Sequence, residues 1–542
     1  MHEFKLDKQM YKNYLKLFLA LMLFNISFLA QAQNEALQQK TLNKAFKLIN
    51  NQYVDTVNSA KLVEDAIKAM VANLDPHSKY MDAESVKRSN ESIRGSFGGV
   101  GIHYQILDDT LIVLNTTKKG PSDLAGIKAG DKILKIDNEI ACGKSVSNSF
   151  FSKKLRGKEG SVVQIQVLNH SDKKVHNFNV IRGAIPINTL DVAFMLNKNV
   201  GYIRLNMFSR STMPEFNKAL AELKSKGMKN LILDLRGNPG GLMIASINLA
   251  DVFLTEDKLI VYTQGEHYKR DNYISSENTK MPNGRLVVMM DEYSASASEI
   301  FGGAIQDWDR GLIMGRRSFG KGLVGRNFIL PDGAAMRLTT GRYYTPSGRS
   351  IQKSYADGRA AYNKDLDRRF KHGEFIHADS INVPDSLKFT TNAGRTVYGG
   401  GGIMPDIFLP LDTSFYSAYL RKVNHKGAIN LFTGYYFDDH MEELFKLYPT
   451  KESFHESFEV DDKTLNSIRA FIKDRFNIEA SEHDWQVSKE YIRSNFKALL
   501  ARNIFENGVF YWENADHDQM LQSALQTINN SKIFRQHGVQ SK

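Results

Sequence analysis

The stretch LILDLRGNPGGLMIASINLADVFL, Leu231–Leu254, holds the pattern on which the fold turns. An apolar run too short for a helix meets a tight Gly/Pro turn, and a run with helical spacing follows. That is a buried strand, a turn and a helix. Upstream, VGYIRLNMF (Val200–Phe208) reads as another strand and TMPEFNKALAELKSKG (Thr212–Gly227) as a helix. Downstream, RLVVMMDEYSASASEIFGGAIQDW (Arg285–Trp308) repeats strand, small-residue turn and amphipathic helix. Alternation of this kind from about Ile187 to Ile407 predicts an α/β core.

On either side the rhythm changes. From Gly95 to Gly183 short alternating strands, such as TLIVLNT (Thr110–Thr116) and SVVQIQVLN (Ser161–Asn169), are punctuated by glycine turns, which predicts a compact all-β or α+β module. Residues 34–92 carry helical periodicity that LDPHSKYM (Leu74–Met81) interrupts, because Pro76 disfavours helix in the residue before it. Beyond Asp412 the chain reads as helical and polar, with Trp485 and Trp512 as aromatic anchors.

Bulk properties narrow the function classes. A chain of 542 residues exceeds what one core organises. The formal net charge of +11 is spread among acids with no basic run, so nucleic acid is not an expected partner. Lys5, Lys8, Lys12 and Lys16 precede the apolar run LFLALMLFNISFL (Leu17–Leu29), and Ala30-Gln31-Ala32 follows it. This is the form of an export signal cut after Ala32, an uncleaved anchor being the alternative; either places the bulk of the chain outside the cytoplasm. Cys142 is the sole cysteine, which excludes an intrachain disulfide and a thiolate metal cluster. No His-Glu-x-x-His spacing occurs, and FDDHMEE (Phe437–Glu443) reads as a hydrated helix face, so no metal or other cofactor is expected.

Three turns could carry chemistry. In SASASE (Ser294–Glu299) the serines sit where a strand runs into a helix, and the N–H after a nucleophile there is a ready oxyanion donor. Ser296-x-x-Glu299 equally fits a capping box. In RGNPGG (Arg236–Gly241) the glycines let a backbone N–H approach a bound group. In GRRSFGKG (Gly315–Gly322) a lysine follows a glycine as in a phosphate loop, but Gly322 replaces the required Ser or Thr and LVGRNFIL reads as a strand. No G-x-S-x-G elbow exists and no histidine lies in these segments, so a serine here needs another base. A lysine made neutral by burial serves, and Lys321 is the candidate.

Together these segments resemble the carboxyl-terminal processing peptidases, exported serine peptidases that join a PDZ domain to a crotonase/ClpP-like α/β core. YVDTVNSAKLVEDAIKAMVANLDPHSKYM (Tyr53–Met81) is similar to the family's N-terminal helical segment, and FGGVGI (Phe97–Ile102) with GPSDLAGIKAGDKILKID (Gly120–Asp137) to its PDZ. DLRGNPGG, SASASEI, FGKG, YYTPSGRSIQ and GGIMPDI resemble its core, in order.

The resemblance implies a multidomain α+β protein: a signal peptide over 1–32, a helical segment over 33–94, an inserted PDZ over 95–185, the protease core over 186–412 and a helical C-terminal region over 413–542. The family places its nucleophile 25 residues before the catalytic lysine, which from Lys321 implies Ser296. Ala297 would then give one oxyanion N–H and Gly240 or Gly241 the other. The PDZ would bind a substrate's terminal carboxylate at Phe97, Gly98, Gly99 and Val100. Implied partners are protein or peptide tails, with a periplasmic or envelope location, membrane proximity and a homo-oligomer as further expectations.

One departure stands out: the family commonly carries glutamine four residues after the lysine, where this chain has Gly325. That motivates the alternative of a weak or inert PDZ-bearing scaffold protein of the envelope. An acyl-thioester enzyme is a third reading, because crotonase-like folds share the oxyanion geometry, and the export signal argues against it.

Overall fold

A computed structural model describes residues 13, 16, 17, 34–143, 146–277, 279–281, 283–381 and 383–539. The expected export signal lies almost wholly outside them. Among the described residues no helix is long and apolar enough to cross a membrane.

The chain divides into two compact units at Leu74. In the first, residues 34–52 form α1 and Ser59–Ala72 form α2. The Asn58 side chain accepts from the Lys61 N–H at 3.0 Å and so caps α2.

The second unit opens on a strand the sequence did not signal. Lys79–Met81 (β1) pairs antiparallel with a later strand, and α3 (Ala83–Arg94) follows, capped by Asp82 and closed by Gly95 in the left-handed region. Three residues of SKYM carry no readable period; they are a strand only because a sheet edge meets them.

Then comes the PDZ module. Ser96–Gly99 (β2) pairs with Gly183–Pro186 (β9) to form a two-stranded stalk. Between them lie β3 (Ile102–Leu107), β4 (Thr110–Thr116), α4 (Pro121–Ala125), β5 (Lys132–Ile136), β6 (Glu139–Ile140), α5 (Asn148–Leu155), β7 (Val162–Leu168) and β8 (Val175–Ile181). The sheet runs β3-β4-β5-β7-β8, and Val163, Ile165 and Val167 alternate into its core against Phe151 of α5.

The α/β core is built on a six-stranded sheet in the order β10 (Leu190–Met195), β11 (Val200–Leu205), β12 (Asn230–Asp234), β15 (Leu286–Met290), β16 (Leu312–Gly315), β21 (Ile407–Phe408). Only the β10–β11 pair is antiparallel. Every residue of β12 and β15 is buried, which is why LIL (Leu231–Leu233) and LVVMM (Leu286–Met290) are apolar throughout rather than alternating. Helices α6 (Thr212–Ser225), α7 (Met243–Asp251) and α8 (Ala297–Asp307) belong to the core cluster that covers one face.

A second, antiparallel sheet joins β13 (Leu259–Gly265), β14 (Tyr268–Ile274), β17 (Leu323–Ile329) and β18 (Ala335–Tyr344), with β1 on the edge of β18. Short helices α9 (Gly358–Asn363) and α10 (Asp365–Lys371) and the hairpin β19–β20 (Lys388–Thr390, Thr396–Tyr398) lead back to β21.

After β21 the chain is helical: α11 (Ala418–His425), α12 (Ala428–Leu447), α13 (Lys451–Ser457), α14 (Asp462–Phe476), α15 (Glu482–Ile504), α16 (Val509–Glu513), α17 (Gln519–Asn529) and α18 (Ser531–Gln536). Phe437 to Glu443 lie along α12.

This region has two structural jobs. Leu521, Ala524, Ile528 and Phe534 cover the other face of the core sheet at Ile232, Val287, Met289 and Met314. α12 and α14 brace the PDZ, where Gln105 Nε2 donates to the Asn430 carbonyl at 2.9 Å, Lys132 meets Asp438 at 2.8 Å and Arg475 meets Asp108 at 2.8 Å.

Candidate active site

Three neighbouring parallel strands, β12, β15 and β16, end side by side, so the loops after their carboxyl ends converge. These loops are RGNPGG, SASAS and the segment reaching FGKG. Hydrogen bonds lace them together. The Ala295 N–H and the Ser298 hydroxyl donate to the Asn238 carbonyl, each at 3.0 Å. The Ser294 hydroxyl donates to the Leu235 carbonyl at 2.8 Å, and the Phe319 N–H to the Ser294 carbonyl at 3.0 Å.

The three serines separate by environment. Ser294 and Ser298 are 0% exposed and their hydroxyls are spent on these loop bonds. Ser296 is part-exposed at the N-cap of α8, with φ 57° and ψ −111°. A serine in that region carries strain of about 1–3 kcal/mol. The turn from strand to helix is sharp there, and it is reached without the flanking glycines that advertise a nucleophile elbow.

Ala297 N–H, next in the chain, finds no acceptor among the described residues. Gly240 (φ 93°) lies against it: a Cβ on Gly240 would sit 2.6 Å from the Ala295 carbonyl oxygen and 2.8 Å from the Ala297 nitrogen. The Gly240 N–H is already taken by Asn238 Oδ1 at 2.9 Å, whereas the Gly241 N–H has no acceptor among the described residues.

Lys321 enters on the loop before β17. Burial pushes its amine below the ordinary lysine value, and the charges of Arg337 and Lys79 push the same way against Glu299. Arg337, on β18, lies over Gly325: a Cβ there would be 3.1 Å from the Arg337 Nε. The position where the family commonly has glutamine is therefore covered by a guanidinium from the next strand.

Two buried side chains bracket Ser296 and Lys321 together. The Glu299 carboxylate, 0% exposed, accepts from the N–H groups of Ser296 (2.7 Å), Gly320 (2.7 Å) and Lys321 (2.9 Å) and from the Ser318 hydroxyl (2.6 Å). Burial pushes this carboxyl up, and the four donors oppose that. From the other side the Tyr343 hydroxyl lies against the carbonyls of Ser296, at 3.1 Å, and Lys321. The capping box read from Ser296-x-x-Glu299 is thus present in its Glu299 half, and the same carboxylate also holds the lysine loop.

Sequence reasoning missed Tyr343, Arg337 and His77. The YYTPSGRSIQ and LDPHSKYM motifs contained two of them without indicating a role. His77 Nε2 pairs with the Tyr362 hydroxyl at 2.7 Å; burial, then the Lys321 charge, push its imidazole down to about 4, so it is neutral at physiological pH. The turn that carries it is tied to β18 by Asp75 and Ser78, which bond Thr339 at 3.0 Å each, and Thr339 is the cross-strand partner of Gly325.

Asp234 and Arg236 of DLRG serve as an anchor. Asp234, fully buried, takes Tyr202 (2.6 Å), Arg204 (2.7 Å) and Arg236 (2.7 Å), and Arg236 reaches Asp518 at the N-cap of α17 (2.6 Å).

The PDZ residues stand apart from this cluster. Phe97, Gly98 and Gly99 are in β2, and Val100 follows it, buried. The Gly98 carbonyl accepts from Gly157 at 3.1 Å, and the Arg156 guanidinium lies 4.0 Å from the Phe97 ring centroid. The end of α3, just before the stalk, meets the core near the glycine loop: Arg210 N–H donates to the Ile93 carbonyl at 3.1 Å, and two residues earlier Phe208 N–H donates to the Gly240 carbonyl at 2.9 Å.

Comparison with known proteins identifies the class as a serine-type peptidase. Residues 199–358 match peptidase family S41, 98–181 the PDZ domain, 25–85 the activating protease CtpB N-terminal domain, and 419–506 a family of unknown function. The carboxy-terminal processing protease CtpB of Bacillus subtilis is 32% identical over 369 residues, which is 67% of this chain and 75% of that one. The carboxy-terminal-processing protease of Bartonella bacilliformis is 35% identical over 328 residues, 59% of this chain and 74% of that one. This chain belongs to the carboxy-terminal processing protease family.

Proposed function

We propose that the protein is an exported endopeptidase that cuts other proteins near their C-termini, with Ser296 as nucleophile and Lys321 as general base. The observation that carries this reading is the shared bracket: one buried carboxylate and one buried phenol hold the peptide units of both residues. Ser296 Oγ attacks the scissile carbonyl while the neutral Lys321 amine takes its proton. The resulting ammonium passes that proton to the departing amine, and water, activated by the same lysine, releases the acyl group.

The Ala297 and Gly241 N–H groups would receive the oxyanion. Gly241 is the better second donor because Asn238 already occupies the Gly240 N–H. Gly240 supplies the space instead. Gly240→Ala is expected to lower kcat by on the order of 10²–10³, the cost of losing an oxyanion donor, because its methyl group would press on the Ala297 nitrogen. Steady-state kinetics alongside a thermal unfolding midpoint checks this.

Lys321 has no glutamine partner from position 325. Gln352 and β18 restrain the loop instead: Gln352 Oε1 accepts from the Gly322 N–H at 2.8 Å, and the Gly322 carbonyl accepts from the Tyr343 N–H at 3.0 Å. Arg337 contributes charge. Its positive field disfavours a second cation, so cleavage by a neutral lysine rises with pH through a value below the ordinary one. Removing the guanidinium in Arg337→Met lets the ammonium persist to higher pH, and the ascending limb of the pH–rate profile is expected to move to the alkaline side. An unmoved limb would remove Arg337 from the mechanism.

The PDZ would capture substrate tails, with backbone groups at Phe97–Val100 meeting the terminal carboxylate and the tail adding as a strand. The reading as a whole is tested with an unstructured peptide ending in apolar residues, its products followed by mass spectrometry. Internal cuts near the C-terminus that disappear in Ser296→Ala support it. Tail binding without turnover would leave the scaffold alternative.

A further inference from the structure

Between the PDZ sheet and the C-terminal helices lies a cavity of about 520 Å³ that proteolysis does not use. Its wall combines His103 and Tyr104 of β3 and Asn115 of β4 with the start of α12 and the later turns of α15. Six asparagines, one arginine and one histidine line it, and no aspartate or glutamate.

Three features of the wall point to one kind of ligand. Arg502 forms no ion pair among the described residues; its Nη2 donates to Asn430 Oδ1 at 2.6 Å and reaches Asn503 Oδ1 at 3.4 Å. Burial without a facing carboxylate presses the guanidinium below its ordinary value. Asn503 is 1% exposed, and its Nδ2 has no hydrogen-bond partner. Leaving a buried donor unmade costs about 1–3 kcal/mol, a cost a resident acceptor would remove. Finally, the 20-residue α12 starts here at Gly427 with no side-chain cap, so its first-turn N–H groups and positive end face the same space.

A cation, an orphan amide donor and an uncapped helix start all favour an oxyanion. The remaining amides and the Tyr104 ring suit hydroxyl or amide groups beside it. The volume falls in the range of about 300–1,000 Å³ usual for small-ligand sites. We propose that this cavity binds a small organic acid whose carboxylate meets Arg502, Asn503 Nδ2 and the start of α12, and whose hydroxyl or amide groups meet the asparagines. The ligand would touch PDZ strands and C-terminal helices at once, so its binding would stabilise their contact.

Isothermal titration of the purified protein with glucuronate, with N-acetyl-alanyl-alanine and with glucose tests this. Saturable binding of at least one acid is expected, with glucose weaker by roughly tenfold or more, the worth of one charge-assisted hydrogen bond. Which acid binds distinguishes a sugar acid from a peptide carboxylate. Arg502→Gln should weaken the acid by a similar factor.

Asn503→Leu removes the orphan amide while keeping the same heavy-atom branching. It should leave the unliganded unfolding midpoint equal or higher and abolish the rise that the acid produces in the unmodified protein. A purely structural Asn503 would instead lower the midpoint. The proposal is overturned if neither acid saturates, if glucose binds as well as the acids, or if dipeptide binding survives Arg502→Gln unchanged, which would place it at the PDZ tail site.

Discussion

Lys321→Ala is expected to yield a folded protein whose kcat for peptide cleavage is down by on the order of 10³ or more, the span of a general base combined with lost orientation of its nucleophile. The reasoning separates catalysis from stability. The amine has no protein acceptor among the described residues, and burial opposes its charge, so little folding energy depends on it. Its backbone N–H, by contrast, holds to Glu299 at 2.9 Å whatever the side chain. The unfolding midpoint should therefore stay where it was or rise slightly, and tail-peptide affinity should be unchanged because Phe97–Val100 lie in a different module. Any residual activity should lack the rise with pH that a titrating lysine imposes. Cleavage within tenfold of the unmodified enzyme would remove Lys321 as base.

Glu299→Gln should cost both stability and rate. Every partner of this carboxylate is a donor: three N–H groups and the Ser318 hydroxyl, whose oxygen is occupied by the Ile403 N–H at 2.6 Å. An amide presents one oxygen and one NH₂, so two of the four donors meet another donor in a site closed to water. With each unmade buried bond costing about 1–3 kcal/mol, a loss of roughly 2–5 kcal/mol is expected. The effect on rate is sharper than on binding, since Ser296 and Lys321 lose the acceptor that registers their backbones to one another. A fall in kcat of roughly 10²-fold with little change in KM is the expected signature of a displaced reacting pair. Chemical denaturation and steady-state kinetics on one preparation measure both. A variant as stable and as fast as the parent would mean that Tyr343 alone sets the register.

Much of this organisation was legible before any coordinates. LIL (Leu231–Leu233) and LVVMM (Leu286–Met290) are continuous apolar runs because both faces of a central parallel strand are covered, and composition alone reports that. The alternation in SVVQIQVLN likewise reports a half-buried strand, since every second residue of β7 is solvent-facing.

The strand at SKYM was not legible. Its pairing with Ala335–Arg337 joins residues more than 250 positions apart, and three residues cannot carry a period of their own. Glu299 was visible as one half of a capping box, because that motif spans a single helical turn. Its bonds to Gly320 and Lys321 were not, for they depend on β15 and β16 being neighbours. The glycine at 325 looked like a gap, and only the β17–β18 register places Arg337 over it.

By itself the sequence determined most of the strands, helices and turns, the order of the modules, and the few residues with suitable chemistry. These follow from spacing and turn preference within a few residues. The tertiary structure alone decided which serine is left accessible in a strained turn, what surrounds the lysine, and how the last helices cover the second face of the core sheet and brace the PDZ. Burial and hydrogen-bond partnership are set by groups brought together from distant parts of the chain, and no local pattern records them.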